Sequence, residues 1–286
     1  MPSLIDIRRR IRTVKSTQQI TKAMKMVSAA KLRRAQDRVI AARPYANSLA
    51  KLLAHVAAAA KSDERMAAHP LLAARPERRI QLVLLTSDRG LAGAFNTNLI
   101  KGAQQFVRDH ADAAVVMELA GRKGRDFFRK RAAAITGEYV GISEKAAFTD
   151  AVAIAKAASG RFAAGETDAV YLLYNEFKSV LAQRLTVTRI LPVPVPEDAA
   201  PVDYIYEQPP LEMLAELLPA YVESQLYQAL LETAAAQMAA RMTAMDAATT
   251  NAAEMIDKLT LYMNRVRQAS ITKELIEVVS GAAAVE

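Results

Sequence analysis

Apolar residues recur along the first sixty positions at alternating spacings of three and four: Leu4, Ile7, Ile11, Val14, then Gln18, Thr21, Lys25 and Ser28, then Leu32, Ala35, Val39, Ala42, Ala46, Leu49, Leu53 and Val56. The register does not slip, which predicts one helix burying a narrow seam against another helix. Its four middle members are polar. In that window the apolar residues lie one position earlier, at Ile20, Met24 and Val27, so the apolar stripe turns by about 100° and calls for a second neighbour on another face. Neither Gly nor Pro occurs between Ser3 and Arg43, and Ser3 with Asp6 has the form of a capping box. Pro44 is the one interruption of a helix that would be ~85 Å long over residues 3–60.

The other end of the chain mirrors this. No Gly or Pro falls between Ala220 and Ser280, and the series Met238, Arg241, Met245, Ala248, Ala252, Met255, Leu259, Tyr262, Val266, Ala269, Lys273, Ile276 is apolar at all but two places. Two long helices flanking a compact middle must leave it and return to it, so they pair most simply antiparallel. The second is the longer, and its tip is expected to protrude beyond the pair.

The middle reads differently. The continuous apolar runs 80–86, 114–119 and 168–174 alternate with helical stretches at 96–110, through Arg131 and at 144–162. Fully apolar strands alternating with helices predict a mostly parallel sheet covered on both faces, and the segment 179–193 adds one or two strands at an edge. The fold class expected is therefore α/β: an antiparallel coiled coil of the N- and C-terminal helices with an inserted Rossmann-like α/β domain. Its parts are an N-terminal helix (1–60), the α/β domain (75–195), a Pro-rich linker (196–210) and a C-terminal helix (211–286).

Charge changes this picture by its distribution. The chain of 286 residues carries a formal +8, but residues 1–60 hold thirteen Lys and Arg against two acids, and residues 211–286 hold five against ten. The first helix is thus +11 and the last −5, which favours their pairing, although individual surface pairs contribute little. A basic stretch also suggests nucleic acid, but this one is poor in aromatic residues for stacking and its charges are not gathered on one stripe. No nucleic-acid partner is expected.

Candidate chemistry is sparse. The absence of cysteine removes disulfides, thiol nucleophiles and Cys-ligated zinc. His55, His69 and His110 show no metal-ligand spacing. No G-x-x-x-x-G-K-[ST], G-x-S-x-G or H-E-x-x-H occurs, and the turn after the first strand has Gly90 and Gly93 without completing G-x-G-x-x-G. No catalytic residue, metal or cofactor is expected in this chain. No apolar run reaches the roughly 18 residues that cross a bilayer, and the N-terminus lacks the apolar core of a signal peptide, so no direct bilayer insertion is expected.

Three segments carry a resemblance. TQQITKAMKMVSAAKLRRAQ (17–36), SDRGLAGAFN (87–96) and NRVRQASITKELIEVVSGAAA (264–284) closely resemble the gamma subunit of bacterial F-type ATP synthases, in the family's order and across essentially the whole chain. Ala92 is a departure, since the family commonly has Cys there. The resemblance implies a central rotary shaft of the F1 sector of a proton-translocating ATP synthase. The shaft couples c-ring rotation to conformational cycling of catalytic beta subunits, for ATP synthesis or hydrolysis, and is itself a non-catalytic subunit. It implies an alpha3-beta3 hexamer, an epsilon subunit and the c ring as partners, and a peripheral place on the cytoplasmic side of the cell inner membrane.

By the same resemblance Met24, with Lys22 and Lys25, faces an acidic loop of beta. Arg267, Gln268 and Thr272 engage a beta loop that catches the shaft, and Gln268 and Thr272 share a helix face as i and i+4. The tip from Gly281 sits in an apolar sleeve, and Tyr206 and Glu207 lie near the c ring or epsilon.

Overall fold

The computed structural model describes residues 3–60, 66, 69–131, 133–180, 182–195 and 208–283, with side chains as far as Ser280. It divides into two compact units, one formed by the residues up to Ser28 with those from Met242 onward, the other spanning Ala29–Arg241. The linker 196–207 lies outside the described residues.

Helix α1 runs Leu4–Ala60 and α5 runs Pro210–Ala283. The capping box at the start of α1 forms as expected: the Asp6 N–H donates to Ser3 Oγ at 3.2 Å while the Asp6 carboxylate accepts from the Ser3 hydroxyl at 2.8 Å. These bonds from Ser3 hold the Asp6 carboxyl below its usual range. Pro44 lies inside α1 without ending it. The last helix begins ten residues before the regular stretch read from the sequence and passes through Pro219. Pro210 stands at its first position, where a missing N–H is no loss. Leu214, Leu218, Val222 and Leu226, each 0% exposed at i, i+4 spacing, supply burial that outweighs the ~3 kcal/mol cost of an internal proline.

Within Ala29–Arg241, strands β1 (Arg79–Leu85), β2 (Ala114–Ala120), β3 (Ile135–Tyr139), β4 (Ala169–Phe177) and β5 (Gln183–Leu191) form one sheet in the order β3-β2-β1-β4-β5. The first four are parallel and β5 pairs antiparallel with β4 at the edge. The intervening helices are α2 (Phe95–Asp109), α3 (Arg122–Phe128) and α4 (Phe148–Ala163). Alternation of residues across a strand sorts the two faces. Val83, Leu85, Val170 and Leu172 join α4, the end of α1 and the start of α5 in one core. On the opposite face α2 packs on β1 and β4, where Phe106 meets Tyr171 at 5.1 Å between ring centroids.

Two local expectations need correction. The segment read as basic and helix-like through Arg131 ends as helix at Phe128, and the unforeseen strand β3 follows. It is five residues long with Gly137 at its centre, so neither length nor propensity marked it. Helix α4 begins at Phe148 rather than near Glu144, where the Asp150 carboxylate accepts the Ala147 N–H at 2.9 Å.

A buried acid sits in the sheet. Glu118 of β2 is 0% exposed and accepts from Arg161 Nη1 at 2.8 Å, from the Tyr139 hydroxyl at 2.7 Å and from Gln81 Nε2. Burial first, and donation to Glu118 second, push the Tyr139 hydroxyl well above its usual pKa.

Candidate functional site

In the unit of residues 3–28 and 242–283 the two helices run antiparallel, with Thr21 hydrogen-bonded to Thr249 between hydroxyls at 2.8 Å and Lys25 paired with Asp246 at 2.6 Å. The polar members of the α1 series are therefore the seam. Thr21 and Ser28 are buried at 9% and 2% exposure, while Ile20 and Val27, one position earlier, are each 56% exposed. A position on a helix is about 100° from the next, so a polar seam leaves the neighbouring apolar stripe facing outward. Lys25–Asp246 is largely solvated, with side chains 41% and 55% exposed. Asp246→Asn is expected to cost less than about 1 kcal/mol; a urea-denaturation loss of several kcal/mol would show that the pair holds the seam.

The α5 side of the seam follows a different register from the apolar series. Met245 and Ala252 are buried as expected, but Met255 and Tyr262 are 46% and 41% exposed, whereas Ile256 and Met263 are half-buried. Thr249 marks the shift: its hydroxyl meets α1, and the positions a heptad on, Ile256 and Met263, follow it.

The expected contact residues fall into two groups that the structure does not bring together. Met24 is half-buried and Lys22 exposed, whereas Lys25 is engaged with Asp246. Arg267, Gln268 and Thr272 are exposed roughly 30 Å farther along α5, at 1.5 Å per residue from Asp246–Thr249. The Thr272 hydroxyl donates to the Gln268 backbone carbonyl at 2.9 Å, and the Gln268 side chain is exposed. Every residue from Ile271 to Ser280 is exposed, including Leu275, Ile276, Val278 and Val279 at 60–69%. So many exposed aliphatic side chains on one helix end mark a contact surface. Tyr206 and Glu207 lie outside the described residues, and so do the side chains of the tip from Gly281.

Within Ala29–Arg241 the structure reveals a junction that sequence reading missed. The Glu144 carboxylate accepts from Lys31 Nζ of α1 at 2.8 Å and from Arg241 Nη1 of α5 at 3.0 Å, with Arg89 Nε at 3.9 Å. Arg38 Nη2 donates to the Ala146 carbonyl beside it. Burial raises the Glu144 pKa, but the hydrogen bonds from Lys31 and Arg241 outweigh it and hold the carboxyl below its usual range. The one signal in the sequence was Arg241, one of two charges in a mainly apolar series; nothing marked Glu144, 97 residues away.

The turn SDRGLAGAFN is tied to other segments of the sheet's edge loops through Asp88. The Asp88 carboxylate accepts the N–H groups of Arg122, Gly141 and Ser143 at 3.0, 2.9 and 3.1 Å and the Ser143 hydroxyl at 2.7 Å. Burial opposes its ionisation, yet these donors prevail and keep it below its usual range. In a parallel sheet such donors at the carboxyl ends of strands can hold a phosphate; here they hold a carboxylate of the chain itself. Ser87 is likewise engaged within the chain: its N–H and hydroxyl both donate to Asn96 Oδ1, and its carbonyl accepts the Lys123 N–H. Leu91, at φ 62°, takes the left-handed conformation that the tight turn demands.

Comparison with known proteins agrees with this arrangement. The family model described as ATP synthase matches residues 3–285. The ATP synthase gamma chain of Solibacter usitatus is 68% identical over 286 residues, covering all of both chains, and that of Anaeromyxobacter sp. (strain Fw109-5) is 52% identical over 291, again covering both. Among solved structures, a chain of the Tetrahymena thermophila mitochondrial ATP synthase central stalk and c-ring is similar at TM-score 0.63 and 26% identity, over 80% of this chain and 99% of that one. A chain of the Euglena gracilis mitochondrial enzyme shares the fold at TM-score 0.68 and 17% identity, over 99% and 94%. With paired terminal helices, an inserted five-stranded α/β domain and full-length relatives of this kind, the chain belongs to the family of ATP synthase gamma chains.

Proposed function

We propose that this chain is the central rotary shaft of a proton-translocating ATP synthase. Turning with the c ring, it would present a different face in turn to each of three catalytic beta subunits and so drive ATP synthesis, or be driven by hydrolysis. A shaft can shift the conformation of a subunit only by contacting its states unequally. The observation that carries the reading is the exposed apolar surface on the paired helices, Ile20 and Val27 on α1 and the aliphatic stretch from Ile271 on α5. It is surface that a free helix pair has no reason to carry.

The partners in this reading are the alpha3-beta3 hexamer, epsilon and the c ring. The place is peripheral, on the cytoplasmic side of the cell inner membrane. Among the described residues no helix is long and apolar enough to cross a membrane. Met24 and Lys22 would face an acidic beta loop. Lys25 would do so only when released from Asp246, which makes it the weakest member of that group. Arg267, Gln268 and Thr272 would form the catch, and Tyr206 and Glu207 the contact with the c ring or epsilon. The chain itself would be non-catalytic, a reading supported by the Asp88 carboxylate occupying the donors at the strand ends.

Tagged chain purified from its own cells should bring alpha and beta with it at one copy per three of each; recovery without them would refute the shaft. Gln268→Leu or Arg267→Leu should impair assembly or ATP turnover at least about tenfold, the loss of one charge-assisted or polar contact at a shared interface, while leaving the chain helical by circular dichroism. Normal turnover in both variants would remove the catch from the assignment.

A further inference from the structure

Two cavities follow one another along the same faces of α1 and α5 within Ala29–Arg241. The first, of about 260 Å³, is lined by Lys31, Arg34 and Arg38 of α1, by Lys145 beside Glu144, and by an apolar floor that includes Leu231 and Met238 of α5. The second, of about 360 Å³, begins one helical turn on and is aromatic: Tyr45 of α1, Tyr227 of α5 and Phe148 at the head of α4. The three walls advance together, Arg38 to Ala42 on α1, Leu231 to Tyr227 on α5 and Lys145 to Phe148 between them. The lining residues of the two chambers thus lie about one helical turn apart on each wall.

Their chemistry is complementary. Four cations converge on the first cavity against the single carboxylate of Glu144, whose oxygens already accept from Lys31 and Arg241. Arg34, Arg38 and Lys145 are exposed at its rim, where a ligand carrying several negative charges at one point would attract all three at once. One carboxylate of a protein partner would balance one of them; a polyphosphate balances all three. In the second cavity Phe148 and Tyr227 stand edge to face, with ring centroids 5.4 Å apart and planes at 87°. Phe148 is 45% and Tyr45 62% exposed, so their rings can meet a planar ligand. From Arg34 to Tyr45 is eleven residues of helix, or ~17 Å, a span that suits a ring joined through a sugar to a chain of phosphates.

We infer that this groove binds a nucleoside polyphosphate, with its phosphates on Arg34, Arg38 and Lys145 and its base against Tyr45, Phe148 and Tyr227. The site is separate from the turn at Asp88 and does not depend on the shaft reading.

The test is equilibrium titration of the purified full-length chain with ATP, with pyrophosphate and with adenosine. ATP should bind saturably and each fragment at least about tenfold more weakly, because each fills only one chamber. Arg34→Gln and Tyr45→Ala, both at exposed positions and so without effect on folding, should each weaken ATP about tenfold while circular dichroism stays unchanged. No saturable binding, or ATP binding indifferent to both substitutions, overturns the site. Pyrophosphate binding as tightly as ATP overturns the aromatic half, and a hexaglutamate peptide binding more tightly than ATP reassigns the groove to an acidic protein partner.

Discussion

Glu144→Ala is expected to destabilise the unit spanning Ala29–Arg241 by about 3 kcal/mol, the lower end of what breaking a buried ion pair costs. The weight rests on Arg241, whose side chain is 8% exposed and whose Nη2 has no hydrogen-bond partner. Without Glu144 its guanidinium stays buried with no counter-charge. Lys31, 42% exposed, is solvated in either case and adds little. A lower urea midpoint at unchanged slope would record the loss.

The pH dependence has a definite sign. Because Lys31 and Arg241 outweigh burial, the folded pKa of Glu144 lies below the ordinary 4.5. The clamp therefore stabilises fully above the unfolded pKa and is lost as pH falls through the lower folded one. Glu144→Gln should flatten that acid limb. In the assembled enzyme the carboxylate ties α1 and α5 to the α/β domain, so the variant should keep ATP hydrolysis while pumping fewer protons per ATP in reconstituted vesicles. Wild-type stability together with wild-type pumping would show that the junction carries no load.

Arg161→Met is expected to cost still more, about 4 kcal/mol. Glu118 is fully buried in the second strand of the sheet, and Arg161 supplies its only positive charge among the described residues, at 2.8 Å. Tyr139 and Gln81 still donate to it, which softens but does not replace the lost charge. The double variant Arg161→Met with Glu118→Leu should recover much of the loss, because apolar groups of similar volume need no partner. A single variant within about 1 kcal/mol of the wild type would show that Arg161 is not what holds Glu118 in the sheet.

These two junctions differ in how far the sequence announced them. Periodicity found the long helices because it is a local and repeated signal: all sixteen members of the α1 series from Leu4 to Val56 are buried or half-buried, the four polar ones included. The same method misplaced Met255 and Tyr262 of the α5 series. It counted apolar residues, while the partner helix selected the hydroxyl of Thr249. Strand β3 escaped for a related reason, since its burial comes from pairing with β2 rather than from its own five residues. The contact residues on α1 and α5 were named from the resemblance, and the structure adds what each is free to do: Gln268 is exposed beside Thr272, while Lys25 is occupied by Asp246.

The sequence by itself determined the helices at both ends, their antiparallel pairing and the α/β character of the middle, because spacing, capping and apolar runs act between near neighbours along the chain. Only the tertiary structure decided which polar groups meet. Glu144 joins Arg241 across 97 residues, Asp88 fills the donors of Gly141 and Ser143, and an aromatic corner lies one helical turn from a basic cavity. Such encounters follow from how packed elements approach one another, and no local pattern encodes that approach.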